Sequence, residues 1–173
     1  MNNIEELKKN NYLLTEKGDR LHSELILHDV PIASLVISYE NKIPVGSVSI
    51  NGVNYTLRLL WGIWPKRFEV IQEKSGNKSI LKFNLFGFSG KMIWNNVEYK
   101  LAVDPGARGL QSHNVWRWQT SDGTQRKLEL NYAAGTHPDG IQSIAIDEIT
   151  ACVDGPLLAL FAQYLLVVYV RGH

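Results

Sequence analysis

The residues of this chain whose types suit metal chemistry lie in its C-terminal half. His113, His137 and Asp139 are the main candidates, and Asp147 and Glu148 follow in a strand-like segment. Imidazole and carboxylate groups together suit several divalent cations. The spacing contains neither an HxH nor an HExxH pattern, which would place two ligands on one element. We therefore interpret these residues as exposed loop and strand-end positions, and we expect no cofactor.

A serine lies in a pattern close to that of a nucleophile elbow. The segment Gly87-Phe88-Ser89-Gly90-Lys91 has lysine where the last glycine of that pattern belongs. It also falls between two strand-like runs, whereas the elbow requires a turn from a strand into a helix. We predict a simple turn here, and no catalytic residues.

Two tryptophans next to two cations form the strongest candidate for a binding site. In "LLWGIWPKRF", Trp61 and Trp64 precede Lys66 and Arg67. At a membrane interface, indole rings lie at headgroup depth and cations lie near phosphates. The alternative is a loop packed over one end of the fold. Arg108, in "DPGARGL", is a further candidate because backbone amides of a glycine-rich loop can hold an anion.

A second tryptophan pair indicates a buried face. Trp116 and Trp118 alternate with Arg117 in a strand-like run, so the two rings share one face. Such a pair could stack on a base or ring. We favour core aromatics, because aromatic side chains dominate interior packing.

Composition excludes several classes of protein. The 173 residues are 45% hydrophobic and 20% charged, which is typical of one globular domain. Eighteen Lys and Arg against 17 Asp and Glu give a net charge of +1, so we expect no nucleic-acid partner. Cys152 is the only cysteine, which excludes a disulfide framework. The polar start "MNNIEELKKNN" has no apolar core of a signal peptide, which predicts a cytoplasmic protein.

Alternating polarity and turn residues predict many short strands. Asn51-Gly52 is a strong hairpin signal because a type I′ turn needs positive φ at both positions. Asn95-Asn96 separates another two strand-like runs. We predict one all-β domain over residues 1–173 with about 10–12 antiparallel strands. Residues 1–11 are expected to form a short polar helix or tail.

The most apolar segment is the last one, "GPLLALFAQYLLVVYV". Fourteen residues of helix span about 21 Å, short of the roughly 30 Å of a bilayer core, so we predict no transmembrane segment. Gly155 and Pro156 suit a helix start, although "VVYV" favours a strand. A helix that is apolar on every face must be surrounded. We therefore predict a closed antiparallel β-barrel around a buried C-terminal helix, residues 156–170.

Many short strands followed by "VDGPLLALFAQYLLVVYV" resemble the tubby-like superfamily. This group includes the tubby C-terminal domain, the phospholipid scramblases and the LURP-one-related proteins. The upstream run "RFEVIQEKSGNKSILKF" is similar to the strand–turn–strand unit of that family. The resemblance implies a roughly twelve-stranded barrel around the terminal helix, and a role in phospholipid binding. The family's phosphoinositide-binding Lys/Arg pair has no clear match in this sequence, so that ligand is not assigned to residues.

Three functions remain open from the sequence. The first is a non-enzymatic barrel, peripheral to the membrane, that binds lipid headgroups or a protein partner through Trp61, Trp64, Lys66, Arg67 and Arg108. The second is a soluble barrel that binds a small molecule, or a metal-dependent enzyme that uses His113, His137 and Asp139. The third is a structural module that binds a partner through strand edges or tryptophans.

Overall fold

The structure, a computed structural model, describes residues 10–16, 21–60, 66–84, 89–104, 115–120, 128–131, 142–148 and 154–170. These ranges form twelve β-strands and one α-helix, which are β1 (Asn10–Glu16), β2 (His22–Leu27), β3 (Val30–Glu40), β4 (Ile43–Ile50), β5 (Val53–Leu60), β6 (Arg67–Gln72), β7 (Lys78–Phe83), β8 (Ser89–Trp94), β9 (Val97–Asp104), β10 (Val115–Thr120), β11 (Leu128–Asn131), β12 (Gln142–Glu148) and α1 (Gly155–Val170). The predicted mainly β fold with one C-terminal helix is confirmed. Strand β1 was not predicted: it begins at Asn10, inside the segment 1–11 expected to be a helix or tail, and residues 1–9 lie outside the described residues.

Tight turns with left-handed backbone connect several strands. Asn51 and Gly52 have φ of 48° and 78°, which confirms the predicted hairpin. Asn95–Asn96 also has positive φ at both residues. The sequence presents the residues of β2 and β3 as one strand. A turn at His28 and Asp29, with φ of 50° and 63°, separates the two strands. The sequence signal is weaker there because His and Asp adopt this conformation less readily than Asn-Gly.

The strands follow one another in an antiparallel meander, and the first strand also pairs with the last. Each strand pairs with its chain neighbours, and β1 pairs with both β2 and β12. The register between β1 and β12 runs from Asn10↔Glu148 to Glu16↔Gln142. Seven pairs of residues therefore join the first strand to the last.

The helix α1 lies on the inner side of this sheet. Its residues 157–168 are all buried, and it lies against β3, β4 and β11. The Trp118 indole Nε1 donates a hydrogen bond to the Leu158 carbonyl at 3.0 Å. The Tyr164 hydroxyl of α1 donates to the Pro44 carbonyl of β4 at 2.7 Å. These contacts explain how a helix without a polar face is stable here, since sheet residues surround it.

Close approach between the helix and β4 depends on Gly46. A Cβ at this position would lie 2.9 Å from Tyr164 Cδ2 and 3.1 Å from Leu35 Cδ1. Only glycine leaves room for the tyrosine ring between β4 and α1. The last four residues of α1, "VVYV", are helical, so the alternative of a terminal strand is wrong.

Candidate functional site: a row of cations on the outer face of the sheet

Most of the site residues predicted from the sequence lie outside the described residues. These are Trp61, Trp64, Arg108, His113, His137 and Asp139. Asp147 and Glu148 belong to β12. In the part of the chain that the structure describes, no group of three or more metal-ligating side chains occurs. The interpretation of His113, His137 and Asp139 as exposed positions, and the alternative of a metal site there, both stay untested because these residues lie outside the described residues.

Lys66 and Arg67 are the two predicted site residues that the structure describes. Both side chains are half-buried, at the start of β6. The Lys66 carbonyl accepts a hydrogen bond from the Phe83 amide at 3.3 Å, which ties this strand start to the end of β7. Arg67 pairs in register with Leu60 on β5 and with Lys82 on β7. Its Nε is buried and has no hydrogen-bond partner among the described residues.

Strand register places three further cations beside Arg67. Arg67 lies opposite Lys82, Lys82 lies opposite Lys91, and Lys91 lies opposite Lys100. Adjacent strands are about 4.8 Å apart, so the four residues span roughly 15 Å across β6 to β9. We call Arg67, Lys82, Lys91 and Lys100 the cation row.

The three lysines of the cation row point away from the interior. Their side chains are exposed, whereas the residues on either side of each are buried. In a β-strand, successive side chains point to opposite faces, which accounts for this alternation. The buried neighbours are Leu81 and Phe83, Gly90 and Met92, and Tyr99 and Leu101.

The cation row is electrostatically unfavourable in the isolated protein. Like charges directly opposite each other on adjacent strands destabilise a sheet. No described residue forms a hydrogen bond or ion pair with the side chains of Lys82, Lys91 or Lys100. Like charges that face each other without an ion-pair partner lower the stability of the fold, and such an arrangement is typical of a functional surface.

A nearby carboxylate does not neutralise the row. Glu69, on β6, accepts from Arg58 Nε at 2.6 Å, and the two residues are paired in register across β5 and β6. The carboxylate is nearly buried, whereas about half of the Arg58 side chain is exposed. Arg58 already pairs with Glu69, and Glu98 on β9 supplies one further carboxylate against the four cations of the row. The outer face of β6 to β9 therefore keeps an excess of positive charge.

The arrangement suits anion binding. Lysine ammonium groups bind phosphate as point charges. The long aliphatic part of the side chain lets the ammonium group reach a ligand beside the sheet. In the same region Ser89 opens β8, where its amide lies 3.4 Å from Asn84 Oδ1 in the connection from β7. Ser89, Gly90 and Lys91 of the segment predicted as a turn belong to β8, and Gly87 and Phe88 lie outside the described residues.

Sequence reasoning missed Lys82, Lys91 and Lys100, although part of the signal was present. In a two-residue hairpin, residues at equal distances from the turn face each other. Lys91 and Lys100 are equidistant from Asn95–Asn96, so the predicted turn implied that pair. The pairs with Lys82 depend on the longer connections before and after β7, whose register no sequence signal determines.

The other aromatic prediction is confirmed for the side chain that the structure describes. Trp118 is fully buried, and its ring lies 6.0 Å from that of Phe161 on α1. It is a core residue and not a stacking platform for a ligand.

Comparisons with known proteins do not identify the chain. No family model, no curated protein and no solved structure matched it. Among the described residues, no helix combines the length and the apolar character needed to cross a bilayer. The function therefore has to be inferred from the cation row and its surroundings.

Proposed function

We propose that this protein is a non-enzymatic, tubby-like β-barrel that binds anionic phospholipid headgroups at a membrane surface on the cytoplasmic side. The observation that carries the proposal is the cation row. Four cations in register, three of them exposed and without ion-pair partners, form a positive stripe on one face of the sheet. An anionic membrane would neutralise the repulsion between them.

A closed barrel around α1 is part of the same proposal. The pairing of β1 with β12 and the buried helix support it. With the interior occupied by side chains of α1, a ligand would bind on the outer surface, as the cation row requires. The resemblance of the terminal segment to the tubby-like superfamily also supports a role in lipid binding.

The segment that contains the predicted tryptophans is close in the chain to the cation row. Leu60 and Lys66 border the segment 61–65, which contains Trp61 and Trp64, and Arg67, the first residue of the cation row, follows Lys66. A membrane that contacts the row would also be near this segment. Trp61 and Trp64 themselves lie outside the described residues, so their contact with headgroups stays a prediction.

Vesicle co-sedimentation at low salt tests the proposal. We expect binding to phosphatidylcholine vesicles that contain phosphatidylserine, and none to phosphatidylcholine alone. Lys82→Glu/Lys100→Glu should weaken binding by at least about tenfold, because each lysine near such a surface contributes roughly 1 kcal/mol. Raised salt should weaken binding of the unchanged protein, since the charges are exposed.

Lys42→Glu/Lys74→Glu is the matched control. Both residues are exposed in turns outside the row, and the pair of changes alters net charge by the same amount. We expect this variant to retain most binding. Equal losses in both variants would show dependence on net charge alone, and no binding at low salt would refute the proposal.

A further inference from the structure

A groove opens on the outer surface between β7 and β8, where their pairing stops early. Only Lys82↔Lys91 and Phe83↔Gly90 are paired between these strands. In contrast, β7 pairs with β6 as far as Lys78, and β8 pairs with β9 as far as Trp94. The separation is therefore local to the β7–β8 boundary.

At each end of the groove, a specific contact keeps the β7 and β8 regions close together. At one end, Gly90 allows close approach, since a Cβ there would lie 2.9 Å from Leu81 Cδ1 and 3.3 Å from the Lys82 carbonyl oxygen. At the other end, Asn77 Nδ2 donates to Asn95 Oδ1 at 3.1 Å. The groove between these ends has a volume of about 440 Å³.

The lining of the groove is amphipathic. Lys78 and Lys82 from β7 and Lys91 from β8 supply three cations, and Glu98 supplies one carboxylate. The apolar part includes Ile80 and Ile93, and Ile93 is 63% exposed. No described side chain is ion-paired with these three lysines. The groove thus offers net positive charge beside an uncovered apolar surface.

We infer that this groove binds one phosphate group that carries an apolar substituent. The three lysines match a phosphate, which lysine binds as a point charge. The volume lies within the usual range of small-molecule sites and exceeds what inorganic phosphate alone would fill. The two isoleucines would contact the substituent, and burying them would favour binding. The phosphate could come from a membrane lipid or from a soluble phosphate ester.

The inference rests on the proposed function only in placing an anionic ligand on this face of the sheet. It adds a defined subsite, because Lys78, Ile80 and Ile93 are not members of the cation row. The cation row would attract the membrane, and the groove would bind one headgroup of it.

Titration of the whole protein with dihexanoyl phosphatidic acid, followed by amide NMR shifts, tests the inference. We expect saturable shifts confined to β7, β8 and the start of β9 around Glu98. Lys78→Gln/Lys91→Gln should weaken this binding by at least about tenfold. Ile93→Ser should weaken binding of the lipid but leave binding of inorganic phosphate unchanged. Lys42→Gln/Lys74→Gln, with exposed lysines in turns elsewhere, is the control and should bind as the unchanged protein does.

Two further binding measurements distinguish a membrane lipid from a soluble ester as the source of the phosphate. Tighter binding to vesicles with phosphatidic acid than to vesicles with phosphatidylserine would support a lipid, whereas saturable groove shifts with hexyl phosphate of similar strength to those with dihexanoyl phosphatidic acid would support a soluble ester. Equally strong binding of glycerol 3-phosphate, whose substituent is polar, would overturn the apolar part of the inference. Shifts spread along the cation row, or insensitive to both groove variants, would overturn the inference.

The NMR titration and the vesicle experiment test different claims, and each can fail without the other. If anionic vesicles bind but dihexanoyl phosphatidic acid causes no groove shifts, the subsite is refuted and the proposed function stands. If the groove shifts occur without binding to vesicles, the proposed function is refuted and the subsite stands.

Discussion

Tyr164 shows how a single polar group is accommodated in the apolar interior. Its ring packs against Phe68 and Phe161, with centroids 6.2 Å and 6.5 Å away. Its hydroxyl donates to the Pro44 carbonyl at 2.7 Å. Burial raises the pKa of the Tyr164 phenol above its usual value of 10.0, because the phenolate would lose its hydration.

The raised pKa of Tyr164 predicts a loss of stability in alkali. Above pH 10 the unfolded chain releases this proton while the folded protein keeps it. The stabilising contribution is therefore complete below pH 10 and is lost as the pH rises from there towards the folded pKa, by about 1.4 kcal/mol per pH unit.

Tyr164→Phe should lower the free energy of unfolding at neutral pH by about 1–3 kcal/mol, since the Pro44 carbonyl would lose its donor. The decline in alkali should be shallower in this variant. Urea unfolding at a series of pH values measures both effects, and parallel curves for the two proteins would contradict the assignment to Tyr164.

At the scale of the element, the start of α1 is held by a residue just before it. The Leu158 amide donates to the Asp154 carbonyl at 2.9 Å, which forms the first turn. The Asp154 carboxylate accepts from the Tyr99 hydroxyl at 2.8 Å and from Asn95 Nδ2 at 3.2 Å. Asp154 thereby joins the helix to β9 and to the turn between β8 and β9.

Asp154→Ala should destabilise the protein by about 1–3 kcal/mol, because both side-chain hydrogen bonds are lost. It should also lower the pKa of Tyr55. Burial is the larger cause of the raised pKa of Tyr55, and the Asp154 charge adds to it. Thermal unfolding and a spectroscopic tyrosine titration measure the two effects, with Glu40→Ala, an exposed position at the end of β3, as the control. An unchanged Tyr55 titration would contradict the electrostatic contribution.

At the scale of the whole molecule, the helix and the sheet form one apolar core. Phe161 is fully buried on α1 and contacts Trp118 on β10. Hydrogen bonds and ring contacts from separate strands converge on the same helix. Because neither part can bury its apolar face alone, we expect them to unfold together.

Phe161→Ala should reduce stability by about 3–5 kcal/mol, through the lost transfer energy and the cavity that remains. Circular dichroism signals of helix and sheet, and Trp fluorescence, should all shift to a lower melting temperature by the same amount. Ile93→Ala, which truncates an exposed side chain, is the control and should change stability little. A variant whose helix signal melts well before its sheet signal would show that α1 is not integral to the core.

The local features of the fold were predictable from the sequence. The turn at Asn51–Gly52 and the helix start at Gly155 follow from backbone preferences of a few adjacent residues, and both occur. The strand division at His28–Asp29 and the strand β1 were missed, because their residue types carry weaker local signals. Most of the residues predicted for binding or metal chemistry lie outside the described residues, so those predictions stand as they were made.

By itself, the sequence determined the strand-rich composition, the turns and a terminal helix too apolar to lie on a surface, because these depend on neighbouring residues. The tertiary structure decided where the cations meet. Arg67, Lys82, Lys91 and Lys100 are separated along the chain, and only the register across four strands brings them into one row. The groove has the same origin, since it exists where two strands stop pairing, and pairing between strands is a property of the assembled sheet.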